Sequence, residues 1–169
     1  GNTLHVDRSD AAYESYNGGG SRSFAVTYDV VDGRGGSVAQ KATIWVTGVN
    51  DVAAIGGTTI GAVTEDGKTT AYGFLAIDDV DVNTITGISE AKFQTQGPTA
   101  LKYGTFSLVD ANAGLWTYQL DNSNPAVQAL KTGNTLIETA PVKAFDNTAA
   151  NVVITINGFT DGNEPVNTA

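Results

Sequence analysis

Apolar residues recur at every second position over long stretches of the chain. Phe24, Val26, Tyr28 and Val30 share one side of a run, and Ile44, Val46 and Gly48 share one side of the next. A period of two belongs to strands, and the β-branched content agrees. Between the two runs lies Asp32-Gly33-Arg34-Gly35-Gly36, whose glycines tolerate positive φ, so the pair reads as an antiparallel hairpin. Further strands are predicted from Thr59 to Thr64, Thr70 to Ile77, Ile85 to Gln94, Gly104 to Val109, Leu115 to Leu120, Ile137 to Phe145 and Asn151 to Phe159. Pro141 marks its strand as an edge or a bulge. Trp45 and Trp116 alternate within strands and are expected to pack rather than to offer sugar-stacking platforms.

Helix is expected only as single turns. Asn124-Pro125-Ala126-Val127 offers an N-cap followed by Pro at the first helical position, and Ser9 to Tyr16 is its counterpart earlier in the chain.

The chain also resembles itself. Leu4 to Tyr13 aligns with Tyr118 to Val127 at an offset of 114, and the register continues without a gap as far as the pair Asp32 and Asp146. After a deletion in the second hairpin the offset is 110, and Val46-Thr47-Gly48-Val49-Asn50-Asp51 meets Ile156-Asn157-Gly158-Phe159-Thr160-Asp161. A module of about 110 residues is therefore repeated. Residues 1–50 form the last part of one copy, and residues 51–169 form a complete second copy with its C-terminal linker. Three strands in the first part leave an apolar sheet face that needs a cover, from the complete module or from strands of a neighbouring molecule.

Composition narrows the function. The 169 residues carry 18 acidic and 9 basic groups, a net charge of −9, with one His and no Cys. Such a balance repels phosphate backbones and anionic lipid, which argues against nucleic-acid binding, and no apolar run approaches the roughly 20 residues of a membrane span. Disulfides, thiolate metal sites and Cys nucleophiles are excluded, and His5, placed in a predicted strand, is too little for a Ser-His-Asp relay. Gly18-Gly19-Gly20 is followed by neither Lys-Ser nor a helix, so it is no phosphate cradle. The expectation is a protein that is not an enzyme, and the Asn, Thr, Gly and Asp richness points to an exported piece of a longer surface protein. Divalent cations are the natural partners. Asp78-Asp79-Val80-Asp81 groups carboxylates that repel one another unless an ion sits among them, and Ca²⁺ takes 6 to 8 oxygen ligands from loops of this kind. Asp7 and Asp121 read instead as turn formers.

Tyr103-Gly104-Thr105-Phe106-Ser107-Leu108, Gly114-Leu115-Trp116-Thr117-Tyr118-Gln119-Leu120-Asp121-Asn122 and Ala126-Val127-Gln128-Ala129-Leu130, with Val63-Thr64-Glu65-Asp66 and Gly73-Phe74-Leu75, resemble the VCBS repeat of bacterial RTX-type adhesins and other large surface proteins. The resemblance implies an all-β, immunoglobulin- or cadherin-like antiparallel β-sandwich, repeated in tandem as an extracellular spacer at the bacterial cell surface. It departs from the family at Thr160-Asp161-Gly162-Asn163-Glu164-Pro165 and at Asp146-Asn147-Thr148-Ala149-Ala150, both positions that could hold metal. Carried over from cadherins, the resemblance implies a Ca²⁺ site of Asn50, Asp51, Asp79, Asp81 and Asp146, and a second one with Glu65 near Asp161 and Asn163. The function implied is that of a structural extender stiffened by Ca²⁺, whose partners are neighbouring repeats. The alternative is a binding module for glycan, host protein or further copies of itself, with Tyr13, Tyr16 and Tyr72 as its exposed aromatics.

Overall fold

A computed structural model of the chain describes residues 3–7, 10–83 and 86–162. Ser9, Ile85, Asn163, Glu164 and Pro165 lie outside the described residues. The chain divides into two compact units, residues 1–52 with 79–90 and residues 53–78 with 91–169.

The first unit contains α1 (Ala11–Glu14), β1 (Ser21–Val31) and β2 (Ser37–Thr47). β1 and β2 pair antiparallel with Phe24 opposite Ile44, Val26 opposite Ala42 and Val30 opposite Val38. The Asp32 carboxylate closes the connecting turn by accepting from the Arg34 and Gly36 amides at 2.7 and 2.9 Å, contacts that hold its pKa below the usual range. Alternation gives the hairpin two unlike faces. One carries Phe24, Val26, Tyr28, Val30, Val38, Ala42, Ile44 and Val46; the other is mainly Ser, Thr and Lys. Trp45 has odd parity on β2 and so joins Lys41, Thr43 and Thr47 on the polar face, where it is 68% exposed. The expectation that it packs is corrected here.

The second unit contains β3 (Ala54–Gly57), β4 (Ile60–Thr64), β5 (Thr70–Asp78), β6 (Thr99–Ala100), β7 (Gly104–Asp110), β8 (Leu115–Leu120), α2 (Pro125–Gln128), β9 (Thr135–Lys143) and β10 (Ala149–Asn157). One sheet has the order β4-β10-β9 and the other β3-β5-β8-β7-β6. All pairings are antiparallel except β4 with β10, where Ile60 meets Val153 and Val63 meets Ile156. The core draws on both sheets: Val63, Val142, Val152, Ile154 and Ile156 from one, Leu75, Phe106, Leu108, Trp116 and Tyr118 from the other. The unit is thus an all-β sandwich. Trp116 fits because Gly61 and Gly73 make room; a Cβ on either would lie 2.8 Å from its ring, and its Nε1 donates to the Thr58 carbonyl at 2.8 Å. Pro141 lies on β9, an edge strand, as its missing N–H requires.

Two expected strands are absent. The segment predicted from Ile85 to Gln94 carries only isolated bridges at Ser89 and Phe93, because a turn interrupts it: Asn83 Oδ1 accepts from the Thr86 amide at 2.9 Å and Gly87 has φ 68°. His5 lies in residues 3–7, which are coil and not a strand. At the offset of 114 these residues align with 117–121, most of which sit in β8 between β5 and β7.

Hydrogen bonds recur at the same offset. Gly20 N donates to Asn17 O at 2.9 Å, and Asn134 N donates to Lys131 O at 2.8 Å; Tyr13 N to Asp10 O is matched by Val127 N to Asn124 O, and Tyr16 N to Tyr13 O by Leu130 N to Val127 O. Gly48 N to Gly20 O, at 2.8 Å, is matched by Gly158 N to Asn134 O, at 2.9 Å, with the glycines related by the offset of 110 that holds after the hairpin turn. A Cβ on Gly48 would strike the backbone of Tyr16 and Asn17, and one on Gly158 would strike Leu130 and Lys131, so both positions need glycine for the same close approach.

Candidate metal centre

Parallel pairing sends β4 and β10 toward the same end of the second unit. Beyond β4 the chain turns back through Glu65-Asp66-Gly67, with Asp66 at φ 51° and Thr64 N donating to Lys68 O at 2.8 Å. The Glu65 amide donates to the carbonyl of Asn157, the last residue of β10, at 2.9 Å. Those constraints bring Glu65 and Asp66 to Asp161. Among the described residues, Glu65, Asp66 and Asp161 form the one three-carboxylate group whose oxygens lie within 4.8 Å of one another.

The three differ in setting. Glu65 is fully buried; its Oε2 accepts from the Phe159 amide at 3.3 Å, whereas its Oε1 is buried with no hydrogen-bond partner. A solvent-shielded carboxylate oxygen in that state is costly unless something neutralises it. Asp66 is exposed and accepts from Asn122 Nδ2 at 2.6 Å, which holds its pKa below the ordinary carboxylate range. Asp161 is exposed, and its hydrogen bond with Asp66 raises its pKa, as expected when two carboxyl groups share a proton. Hard oxygen donors, one of them orphaned and buried, fit a cation such as Ca²⁺. Glu65 and Asp161 were expected from the sequence; Asp66 was not assigned as a ligand, although it adjoins Glu65 at a turn.

The other expected ligands fall in two units. In the first, the Asp51 amide donates to Asp81 Oδ2 at 2.7 Å, and the Asp81 amide donates to Asp79 Oδ1 at 2.9 Å. Asp81 is fully buried, and Asp79 Oδ2 is buried without a hydrogen-bond partner. Asn50 is exposed, and its side chain donates to the Asp51 carbonyl at 2.6 Å. Two residues not assigned from the sequence extend this chain of contacts. The Glu90 amide donates to Asp81 O, and the buried Glu90 carboxylate accepts from Asn17 Nδ2 at 2.8 Å, while Asn17 Oδ1 is left buried and without a partner. The second unit holds Asp146, whose carboxylate accepts from Thr148 N, Thr148 Oγ1 and Ala53 N at 2.8, 2.6 and 3.1 Å, which makes it the closure of its own turn.

The remaining readings concern turns and aromatics. Asp121 is the turn former expected, accepting from Ser123 N and Oγ at 3.0 and 2.6 Å. Asn124 caps α2 through the Ala126 amide at 3.0 Å. Tyr13 makes edge contacts with Tyr16 and Phe24 at 6.1 and 5.6 Å, and Tyr72 is exposed on β5. No described helix is long and apolar enough to cross a membrane. No family model and no curated protein matches the chain.

Proposed function

We propose that this chain is a non-catalytic extender: tandem, cadherin-like β-sandwich repeats of a secreted bacterial adhesin or surface fibre, stiffened by Ca²⁺. The observation that carries the reading is the Glu65 cluster, where an orphaned buried carboxylate oxygen meets two further carboxylates just past the last strand of a module. Glu65, Asp66 and Asp161 would hold the ion. Bound there, it supplies positive charge that relieves the repulsion among the three and ties the turn after β4 to the segment leaving β10. Asp79, Asp81 and Asp51, with Asn17 and Glu90, are the corresponding candidates in the first unit, supported by the buried Asp79 Oδ2 and Asn17 Oδ1. The recurring hydrogen bonds at an offset of 114 support the repeat reading.

A cross-link of this kind acts on orientation. Acidic segments left without a counter-ion repel and swing, whereas segments sharing an ion keep one direction, so a row of such modules would project a distant domain from the cell surface. The binding-module reading has less support, since Tyr13 and Tyr16 are engaged with each other rather than presented at a loop.

Calcium added to the chelated chain should raise the thermal midpoint and slow amide exchange at Glu65, Gly67 and Asp161, because an ion bound only by the folded state stabilises it by mass action. Glu65→Gln should remove most of the calcium-dependent increment, and Asp121→Ala should preserve it. Superimposable melting and exchange with and without calcium would eliminate the metal from the proposal.

A further inference from the structure

The outer faces of the two sheets in the second unit are unlike. On β5 the residues that alternate with the buried Ala71, Gly73 and Leu75 point away from the core, and two of them are aromatic: Tyr72 is 68% and Phe74 56% exposed. The register continues that face across the sheet. Tyr72 lies opposite Thr117, Thr117 opposite Ser107, and Phe74 opposite Leu115. Thr117 and Ser107 are thus one and two strand spacings from Tyr72, about 4.8 and 9.6 Å. On the three-stranded sheet the outward strand positions include Ile60 and Ile137, also well exposed, but no aromatic residue.

The backbone under the two rings is fixed. Gly73, between them, is pressed against Thr58 and Trp116, where a Cβ would lie 2.6 and 2.8 Å away, and the Phe74 carbonyl accepts from the Thr58 amide at 2.7 Å. Both aromatics therefore stand on a strand anchored to the core. Among the described residues none hydrogen-bonds to the hydroxyl of Thr117 or Ser107. The rows on either side are engaged with themselves. Thr70 Oγ1 donates to Gln119 Oε1 at 2.8 Å, and Asp110, opposite Leu115, accepts from the Asn112 and Ala113 amides at 2.9 and 3.0 Å in its own turn.

We propose that this face binds a neutral polysaccharide. A sugar ring presents C–H bonds on its flat sides and hydroxyls around its rim. The C–H groups are attracted to the negative face of an aromatic ring, and the rim hydroxyls need polar partners not already engaged, which Thr117 and Ser107 supply. Charge selects against an acidic polymer. Tyr72, Phe74, Leu115, Thr117 and Ser107 are all uncharged, so a polyanion would meet no cation on this face and would be repelled by a chain of net charge −9. Area selects against a stable protein partner. Two aromatic side chains bury about 300 to 500 Å² together, well below the roughly 800 Å² that each partner contributes to a standard interface. An open face also encloses no single sugar, so affinity comes from several units of one polymer lying along it.

The inference needs neither calcium nor the repeat, and it adds a sideways contact to a module read as a spacer. Its test uses the full chain in excess chelator, run by native electrophoresis through gels that hold a β-glucan, an α-glucan, a mannan or a galactan, with alginate as the acidic comparison. Retardation by at least one neutral polymer and none by alginate is expected. A short oligosaccharide of the retarding polymer, titrated into the ¹⁵N-labelled chain, should shift amides of β5, β8 and β7 and leave β9 unmoved. Tyr72→Ala and Phe74→Ala should each weaken binding on the order of tenfold. Tyr72→Phe, which keeps the ring, should retain it, and Ile137→Ala on the other sheet should leave it unchanged. These positions are exposed, so each variant should keep the amide spectrum of the folded chain. Retardation by no neutral polymer, retardation by alginate alone, binding that survives both alanine variants, or self-association of the chain through Tyr72 and Phe74 would each overturn the proposal.

Discussion

The hairpins β1–β2 and β9–β10 follow the same path, from a single helical turn, through two long strands, to a glycine pressed against the chain some 27 to 32 residues earlier, yet Ile44 is partly exposed where Ile154 is sealed from solvent. Local chemistry accounts for what they share. Caps, Asx turns, close-approach glycines and period-two patterning act over a few residues, and they specify a hairpin whether or not a second sheet is present. Burial accounts for what they do not share. Trp116, Phe106 and Leu75 come from strands distant in sequence, and only their arrival turns an apolar face into a core. A hairpin can thus be fully formed and still incomplete.

The largest test of that contrast is a pair of equivalent truncations. Ile154→Ala should cost about 2 to 5 kcal/mol. Ile44→Ala, with solvent already on the residue, should cost under about 1 kcal/mol. Urea unfolding followed by Trp116 fluorescence reports the first, and loss of β1 and β2 amide protection reports the second; equal costs would abolish the distinction between the faces.

A somewhat smaller effect is expected at the position where the two faces differ in chemistry. Phe24 corresponds to Glu138, a buried carboxylate that accepts from the Tyr103 amide at 2.8 Å and the Tyr118 hydroxyl at 2.5 Å. Tyr118→Phe leaves one of those oxygens short of a donor, at a cost of about 1 to 3 kcal/mol. Burial, reinforced by the Glu138 charge, raises the Tyr118 pKa. A raised folded-state pKa means that this contribution is intact below the unfolded value of about 10 and is lost as pH climbs beyond it. Alkaline denaturation should therefore begin above pH of about 10, and Tyr118→Phe should flatten that limb; an unchanged alkaline profile would contradict the role given to the pair.

The smallest effect sharpens the shared part. Asn124→Ala should cost about 1 kcal/mol by removing the cap of α2, with little change in the burial of β9 or β10. Thermal melting of the variant beside the parent chain measures it.

Much of this architecture was legible in the sequence because strands with one buried face announce themselves by alternation. β1, β2, β4, β5, β7 and β8 lie where Phe24, Val63, Ala71, Phe106 and Trp116 recur with polar neighbours. Alternation failed where parity, not composition, decides the outcome. Trp45 looked like a core residue until its register placed it beside Lys41 and Thr43, and Ile85 to Gln94 looked extended although Asn83 and Gly87 favour a turn there. In the acidic cluster, Glu65 and Asp161 had been singled out through the family resemblance. Asp66 was not, because its part depends on the positive φ that turns it back toward Asn122, and Asn17 and Glu90 are joined by a contact across 73 positions that no local pattern encodes.

The parallel pairing of β4 with β10 also bears on how the second unit would respond to tension. Tension entering along β4 from its N-terminal end and leaving along β10 from its C-terminal end pulls the two strands lengthwise past each other. Their ladder is then sheared as a unit, whereas an antiparallel pair pulled from its open end peels one bond at a time. For the second unit, forced unfolding through Thr59 and Gly158 should require a higher force than pulling β9 from β10 through Thr135 and Asn157, which lie opposite each other at the open end of their hairpin. Equal forces in the two geometries would show that the β4–β10 ladder is not what resists extension.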